Sequence, residues 1–560
     1  MKFIQIITLA VLSFLIGSCS LVGLNMKHKT PKKASVYPVF TEKDTLRGAI
    51  TPFRRNNDVT FYHINLDVDI DQQSLKGNVE IRFTALADMD TIQIDLYTDM
   101  IIDSIFMNTQ SLKYRRIYNA VFVGLQHTLS GGVGAAITVY YHGKPQVARR
   151  PPWEGGFVWK KDKNKKPFIG VACEEIGASI WWPVKDHIYD EPDSVAITVT
   201  IPKGLFCVSN GTLKSQADHG DRSTFSWETH YPVNTYDVTI NIGDYRHFSI
   251  PYPKNPLLKL DYYVLPKDLE DAKALFANSV GVIEAYEYYY GEYPWLKDNY
   301  KLVESPFAGM EHQTAIAYGK GFKDNMMNNY IIIHETAHEW WGNSVTAPDY
   351  AEVWIQEGFA TYSEALYAEK TKGRNAYENL MRFYSFLISN KQPVVGPHDV
   401  NYWNYKDGDV YMKGALTLYS LRNSIDNDPL FFDILKSFYQ EHKYGTATTG
   451  EFISFVNEKT GKDYNAFFQQ YLYHRECPNL EFFNYQIGKG QSCFAYRLSN
   501  TIPGFNMPLE VRSDGKATKL TATDKTQYFC YPSQSSFSLY HDLYYSATKK
   551  NRKLARNGKD

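Results

Sequence analysis

The chain has 560 residues, too many for a single hydrophobic core, and roughly two to four domains are expected from that length. Hydrophobic residues make up 44% and charged residues 22%, which excludes a disordered polyelectrolyte, and a formal charge of −1 removes any global field that would draw nucleic acid. The 43 tyrosines sit between apolar residues, as packing aromatics do.

In chain order, Lys2 precedes an apolar run over residues 3–16 that is interrupted only by Gln5, Thr8 and Ser13. The run is too short to span a bilayer as an ordinary helix and reads as an export signal. Ile16-Gly17-Ser18-Cys19 resembles a bacterial lipobox, which implies a signal over 1–19 and a membrane anchor through lipid on Cys19. Ser20 resembles the signal for outer-membrane sorting, so the expected location is the cell envelope, at the outer membrane facing the periplasm. Residues 20–56 are polar, basic and proline-bearing and read as a tether. Five further cysteines (Cys173, Cys207, Cys477, Cys493 and Cys530) form an odd set; one bridge among the last three is possible.

From 57 to 255 the pattern alternates apolar and polar residues between Gly, Pro and Asp punctuation, which predicts an antiparallel β domain. From 256 to 476 helical periodicity takes over, with helices expected over 326–342, 350–371, 375–390, 409–425, 428–442, 450–459 and 464–474. Gly373, Gly445 and Gly461 fall where left-handed caps belong. Residues 477–547 return to short strands, a small third module, and 548–560 read as a frayed basic tail.

The chemistry concentrates in His334-Glu335-Thr336-Ala337-His338. Positions i and i+4 share a helix face, so both imidazoles reach one ion, while Glu335 is placed to take a proton from a water at that ion. Eighteen residues after His338 comes Glu357, on a second helix pattern with Trp354, Phe359, Ala360 and Ala365 inward. Two imidazoles and a carboxylate with an open fourth position is the donor set of catalytic zinc.

The string HETAHEWWGN…QEGFATY resembles the gluzincin aminopeptidases, the family of aminopeptidase N and leukotriene-A hydrolase, with Gln356 where Asn is usual. The resemblance covers roughly residues 58–475. It implies a multidomain α+β fold: a saddle-like N-terminal antiparallel β domain, a thermolysin-like and mostly helical catalytic domain, and here a small C-terminal β module. It implies one Zn²⁺ per chain on His334, His338 and Glu357, with Glu335 as catalytic base. Ala308-Gly309-Met310-Glu311-His312 is similar to the family's Gly-Ala-Met-Glu-Asn motif, with Ala308 for its first Gly and His312 for its Asn. By that likeness Glu311 binds the substrate's terminal amine and Gly309 and Met310 line the substrate, while the departure at His312 either alters cleft polarity or adds a group titrating near pH 6–7. Glu174, nine residues before Pro183, corresponds more loosely to a second amine contact, and Tyr411 of Tyr411-Met412-Lys413-Gly414 to the hydroxyl donor for the oxyanion. The expected substrates are peptides with a free N-terminus. The rival readings are an epoxide hydrolase on the same scaffold and an inactive peptide-binding scaffold.

Overall fold

The computed structural model describes residues 37–558 apart from 324, 403–407, 488–490, 514–515, 532–536 and 541–543. The expected signal and lipobox, with Cys19, lie outside the described residues. Among the described residues no helix is long and apolar enough to cross a membrane.

Strand β1 (Asn57–Asp69) turns Tyr62, Ile64, Leu66 and Val68 into the core at the two-residue period of its sequence. It sits inside an eight-stranded sheet, antiparallel to β2 (Ser74–Ala85) and parallel to β3 (Ser194–Pro202). The expectation of a wholly antiparallel domain is therefore corrected at one pairing. A parallel neighbour needs a long return path, and residues 86–193 supply it while building a three-stranded sheet and half of a four-stranded one.

The tether reading fails for its last third. Residues 42–48 form helix α1 (Glu42–Gly48), capped reciprocally by Thr41 and Asp44, and α2 (Pro52–Arg55) follows. Arg54 is fully buried, 2.6 Å from Asp95, and donates to the carbonyls of Arg47 and Ala49 at 2.8 and 3.0 Å. Polar composition concealed this because the partners lie far along the chain.

The second region opens on a five-stranded mixed sheet in the order Arg246–Pro251, β4 (Lys259–Val264), β5 (Tyr300–Glu304), β7 (Ile316–Tyr318) and β6 (Gly309–Met310). Since Arg246–Pro251 belongs to it, the domain boundary falls before 246 rather than at 255. Helices α3 (Leu269–Phe276) and α4 (Asn278–Tyr290) precede α5 (Met326–Ala337), α6 (Trp354–Lys372), α7 (Arg374–Ser385), α8 (Asp409–Ile425), α9 (Asp428–His442) and α10 (Thr449–Thr460). Helix α5 ends five residues before the expected 342, and α7 five before 390. Gly373 and Gly461 take positive φ at helix ends as expected, whereas after α9 that conformation falls to Tyr444 and Gly445 joins a short strand.

In the C-terminal module Cys493 and Cys530 face one another across paired strands and form a disulfide; Cys173, Cys207 and Cys477 are free and buried. The tail is not frayed throughout: Ala547–Lys550 pairs parallel with Asn479–Ile487, and Leu554 beyond it is buried.

Replacing Arg54 by Ala leaves the Asp95 carboxylate buried without its cation, at a cost of about 3–5 kcal/mol. Burial already raises the Asp95 pKa against the pull of Arg54, and losing that pull raises it further. Protonated Asp95 tolerates burial, so the deficit, read by urea unfolding of R54A, is smaller at acidic pH and grows as pH rises.

Candidate active site

Helix α5 carries His334 and Glu335, and His338 stands in the turn just beyond its end. The Nε2 atoms of His334 and His338 are 3.2 Å apart, and Glu357 Oε2 on α6 lies 3.3 and 3.4 Å from them. Zinc–nitrogen bonds of about 2.0–2.1 Å at a tetrahedral ion put neighbouring donors about 3.3 Å apart, so the three atoms form one face of such a polyhedron. All three residues are buried. Burial pushes the Glu357 carboxyl up, but His338 and His334 outweigh it and hold it below the usual carboxylate range. The donor set, its spacing and its charge fit a divalent cation such as zinc.

Groups behind the imidazoles aim them. Glu364 Oε1 accepts from His334 Nδ1 at 2.7 Å and the Trp341 carbonyl from His338 Nδ1 at 2.9 Å. With both Nδ1 atoms donating, both Nε2 lone pairs face inward. Gly342 has φ 121°, which a side chain resists, and a Cβ there would lie 3.0 Å from His338 Nδ1. The Tyr384 hydroxyl donates to Glu364, and the Tyr330 ring stacks on His334 at 5.8 Å.

Close backbone approaches set the rest. A Cβ built on Gly414 of α8 would lie 2.9 Å from the Gly358 Cα of α6, so the two helices touch at glycine. That contact brings Tyr411, one turn before Gly414, beside Glu357 and within 6.2 Å of the His334 ring. Lys413 points away and donates to the carbonyls of His474 and Arg475 at 2.8 Å. A Cβ on Gly309 would lie 2.5 Å from Glu335 Oε1, so β6 lies against the carboxylate that α5 presents. Burial raises the Glu335 carboxyl to about 8, against the pull of His334.

Glu311 follows β6, and Glu174 comes from the N-terminal domain. One carboxylate oxygen each from Glu174, Glu311 and Glu357 lie within 4.8 Å of one another. Burial, then mutual repulsion with Glu311 and Glu357, raises the Glu174 carboxyl well above its ordinary value, and burial raises Glu311. Met310 is buried on the edge strand. His334, Glu335, His338, Glu357, Tyr411, Glu311 and Glu174 thus lie in one place, with Gly309 against Glu335. His312 is fully buried, and burial pushes it down to about 3, so it stays neutral and, of the two expectations for it, titration near pH 6–7 is not met.

The sequence reading missed several residues. Glu364 lies two helical turns after Glu357, a spacing that marks the same face and was there to be found. Tyr384 carries no local mark. Tyr236 donates to Glu311 Oε1 at 3.2 Å and accepts from Gln356 Nε2 at 3.0 Å. No pattern distinguishes Tyr236 among the tyrosines, whereas Gln356 adjoins a ligand.

Helices that deliver two histidines and a glutamate to one point, beneath an edge strand and an acidic pocket, define a metallopeptidase-like site of the gluzincin type. Residues 276–471 match the Peptidase family M1 domain. The chain is 22% identical over 434 residues to "Probable aminopeptidase 2" of Sulfurisphaera tokodaii, covering 72% of this chain and 52% of that protein. It is 24% identical over 312 residues to "Aminopeptidase N" of Streptomyces lividans, covering 51% and 36%. The chain thus spans about half, or less, of the length of these relatives. Its fold resembles the M1 zinc metallopeptidase of Deinococcus radiodurans, with TM-score 0.62 and 20% identity over 76% of this chain and 93% of that one. A mutant of that enzyme bound to a Tyr-Ser-Ala substrate superposes with TM-score 0.63, 20% identity and coverages of 74% and 94%.

Glu364→Gln keeps the shape but weakens the acceptor behind His334. It is expected to lower zinc affinity about 10–100-fold, read by competition with a chromogenic chelator.

Proposed function

We propose that this chain is a zinc-dependent aminopeptidase that removes the N-terminal residue of peptides, with one ion per chain on His334, His338 and Glu357. The observation that carries the reading is the acidic pocket of Glu174 and Glu311 beside those ligands. Two buried carboxylates near one point need a cation, and the α-ammonium of a peptide supplies one at a fixed distance from the ligands. The relatives named aminopeptidases and the zinc metallopeptidase crystallised with Tyr-Ser-Ala support the same reading.

Bound at the three ligands, zinc supplies Lewis acidity, which polarises a carbonyl and acidifies water. The residues of the chain do the rest. Glu335 takes the proton of the attacking water and passes it to the leaving amine. Burial holds the Tyr411 phenol well above its ordinary pKa, so it keeps its proton and donates it as a hydrogen bond to the developing oxyanion. Glu311 and Glu174 hold the ammonium, and Tyr236 fixes Glu311 by its hydrogen bond. The free edge of β6 offers backbone groups for an extended substrate.

Changing Glu335 to Gln is expected to cut turnover of an aminoacyl-anilide by about 10²–10⁴, with zinc content by atomic absorption unchanged. N-acetylation of a peptide substrate should stop cleavage. Unimpaired activity of E335Q, or equal cleavage of blocked peptides, would overturn the reading, and opening of a lipid epoxide in place of peptide hydrolysis would transfer it to the rival hydrolase.

We further propose that the chain is exported and lipid-anchored on Cys19 in the envelope. The apolar run over 3–16 and the lipobox-like Ile16-Gly17-Ser18-Cys19 support this. Cells fed a labelled fatty acid should label the chain, and Cys19→Ser should abolish the label.

A further inference from the structure

Residues 37–56 touch both the N-terminal and the catalytic domain. On the N-terminal domain, Arg54 pairs with Asp95, the Gln93 amide donates to the Leu46 carbonyl at 3.2 Å, and His187 Nε2 donates to the Gly48 carbonyl at 2.9 Å. On the catalytic domain, Gly48 lies so close to the loop before α8 that an added Cβ would sit 2.4 Å from the Asn401 nitrogen. The rings of Tyr37 and Phe40 meet Tyr402 of that loop edge to face, at 6.0 and 5.6 Å. Between these anchors, the Arg47 guanidinium donates to the carbonyl of Glu175, the residue after Glu174. With its amide oxygen turned toward Arg47, Asn401 accepts from Nε and Nη2 at 3.0 and 2.9 Å.

The turn that bears Glu174 is held at the adjoining peptide too. The Tyr350 hydroxyl donates to the Glu174 carbonyl, and Gly177 N–H closes the turn on the Cys173 carbonyl at 2.7 Å. Further on, Asp186 accepts from the amides of Ala178 and Ser179 at 3.1 and 3.3 Å. The Glu174 carboxyl meets Glu357 across the pocket, and its Oε1 is buried without a partner among the described residues. Its position in the acidic pocket therefore depends on where the turn is held, and Tyr350 and Arg47 hold it at two successive carbonyls.

We propose that Arg47 is a positioning residue for amine recognition: a strap over residues 37–56 clamps the Glu174 turn to the loop before α8, and so sets Glu174 against Glu311. The inference rests on the aminopeptidase reading. A guanidinium suits the task because its planar fork serves the Glu175 carbonyl and the Asn401 amide together, and one cation satisfies both acceptors without the mobility of a lysine. Removal of the clamp loosens Glu174 but leaves His334, Glu357, Glu335 and Tyr411 on their helices and His338 in the turn after α5.

The test is a double-mutant cycle on the zinc-loaded full chain with an aminoacyl-anilide: wild type, Arg47→Ala, Glu174→Gln and the double variant, each checked for zinc content and thermal unfolding. Arg47→Ala is expected to raise KM about tenfold, the scale of a lost charge-assisted hydrogen bond, with kcat within about twofold. In the Glu174→Gln background the same change should add less than about twofold, because two residues acting through one contact are not additive. A full tenfold loss in that background, an equal fall in kcat, or an unchanged KM in Arg47→Ala would each overturn the proposal. If R47A is poorly folded, Tyr402→Ala, which loosens the strap from its other end, should reproduce the rise in KM; an unchanged KM there counts against the strap. A wild-type chain inert toward every unblocked peptide would instead refute the aminopeptidase reading, which separates the two failures.

Discussion

Six ionisable side chains share one buried volume: His334, His338, Glu357, Glu335, Glu311 and Glu174. Four carboxylates so close together repel one another and have lost most of their water, so the arrangement is stable only with positive charge inserted at defined points. Two such points are distinguishable. One lies between the three ligand atoms, whose spacing of 3.2 to 3.4 Å matches a small divalent ion. The other lies at Glu311 and Glu174, the two carboxylates that the proposed reading assigns to a substrate ammonium.

The scaffold meets this demand by bringing backbones unusually close. Gly358 against Gly414 lets α6 and α8 touch and carries Tyr411 to Glu357, and Gly309 lets an edge strand lie on Glu335. At each contact the missing side chain is the design, because a methyl group would displace a reacting group by a fraction of its hydrogen-bonding reach. Behind the ligands, Glu364 and the Trp341 carbonyl settle which nitrogen of each imidazole carries its proton.

Function is divided between domains along the same lines. His334, Glu335, Glu357 and Tyr411 sit on helices of one domain and His338 in the turn that follows α5, all held by helix packing. Part of the acidic pocket comes from the other domain: Glu174 enters it on a turn, and Tyr236 reaches it to brace Glu311. Geometry across that boundary depends on contacts such as the Tyr350 hydroxyl on the Glu174 carbonyl and the strap over residues 37–56. A short C-terminal β module, stapled by Cys493–Cys530, completes the described chain.

Local periodicity made much of this legible. The i, i+4 histidines, the glutamate between them and the helical patterns around them are properties of short segments, and physical chemistry reads those directly. Glu311, Glu174 and Tyr411 were legible only through likeness to a family, because their segments carry no period that demands a site. Glu364 could have been read from its helix face; Tyr236 could not. Tertiary structure alone decided that β1 runs parallel to β3, that Cys493 rather than Cys477 meets Cys530, and that a polar stretch is a docked strap rather than a tether. Each of those outcomes turns on a partner far away in the chain: Arg54 and Asp95 stand 41 residues apart, and Arg47 and Glu175 stand 128 apart. A sequence window records what a segment can bury or bond, whereas the choice of partner is made only when distant segments compete for the same space.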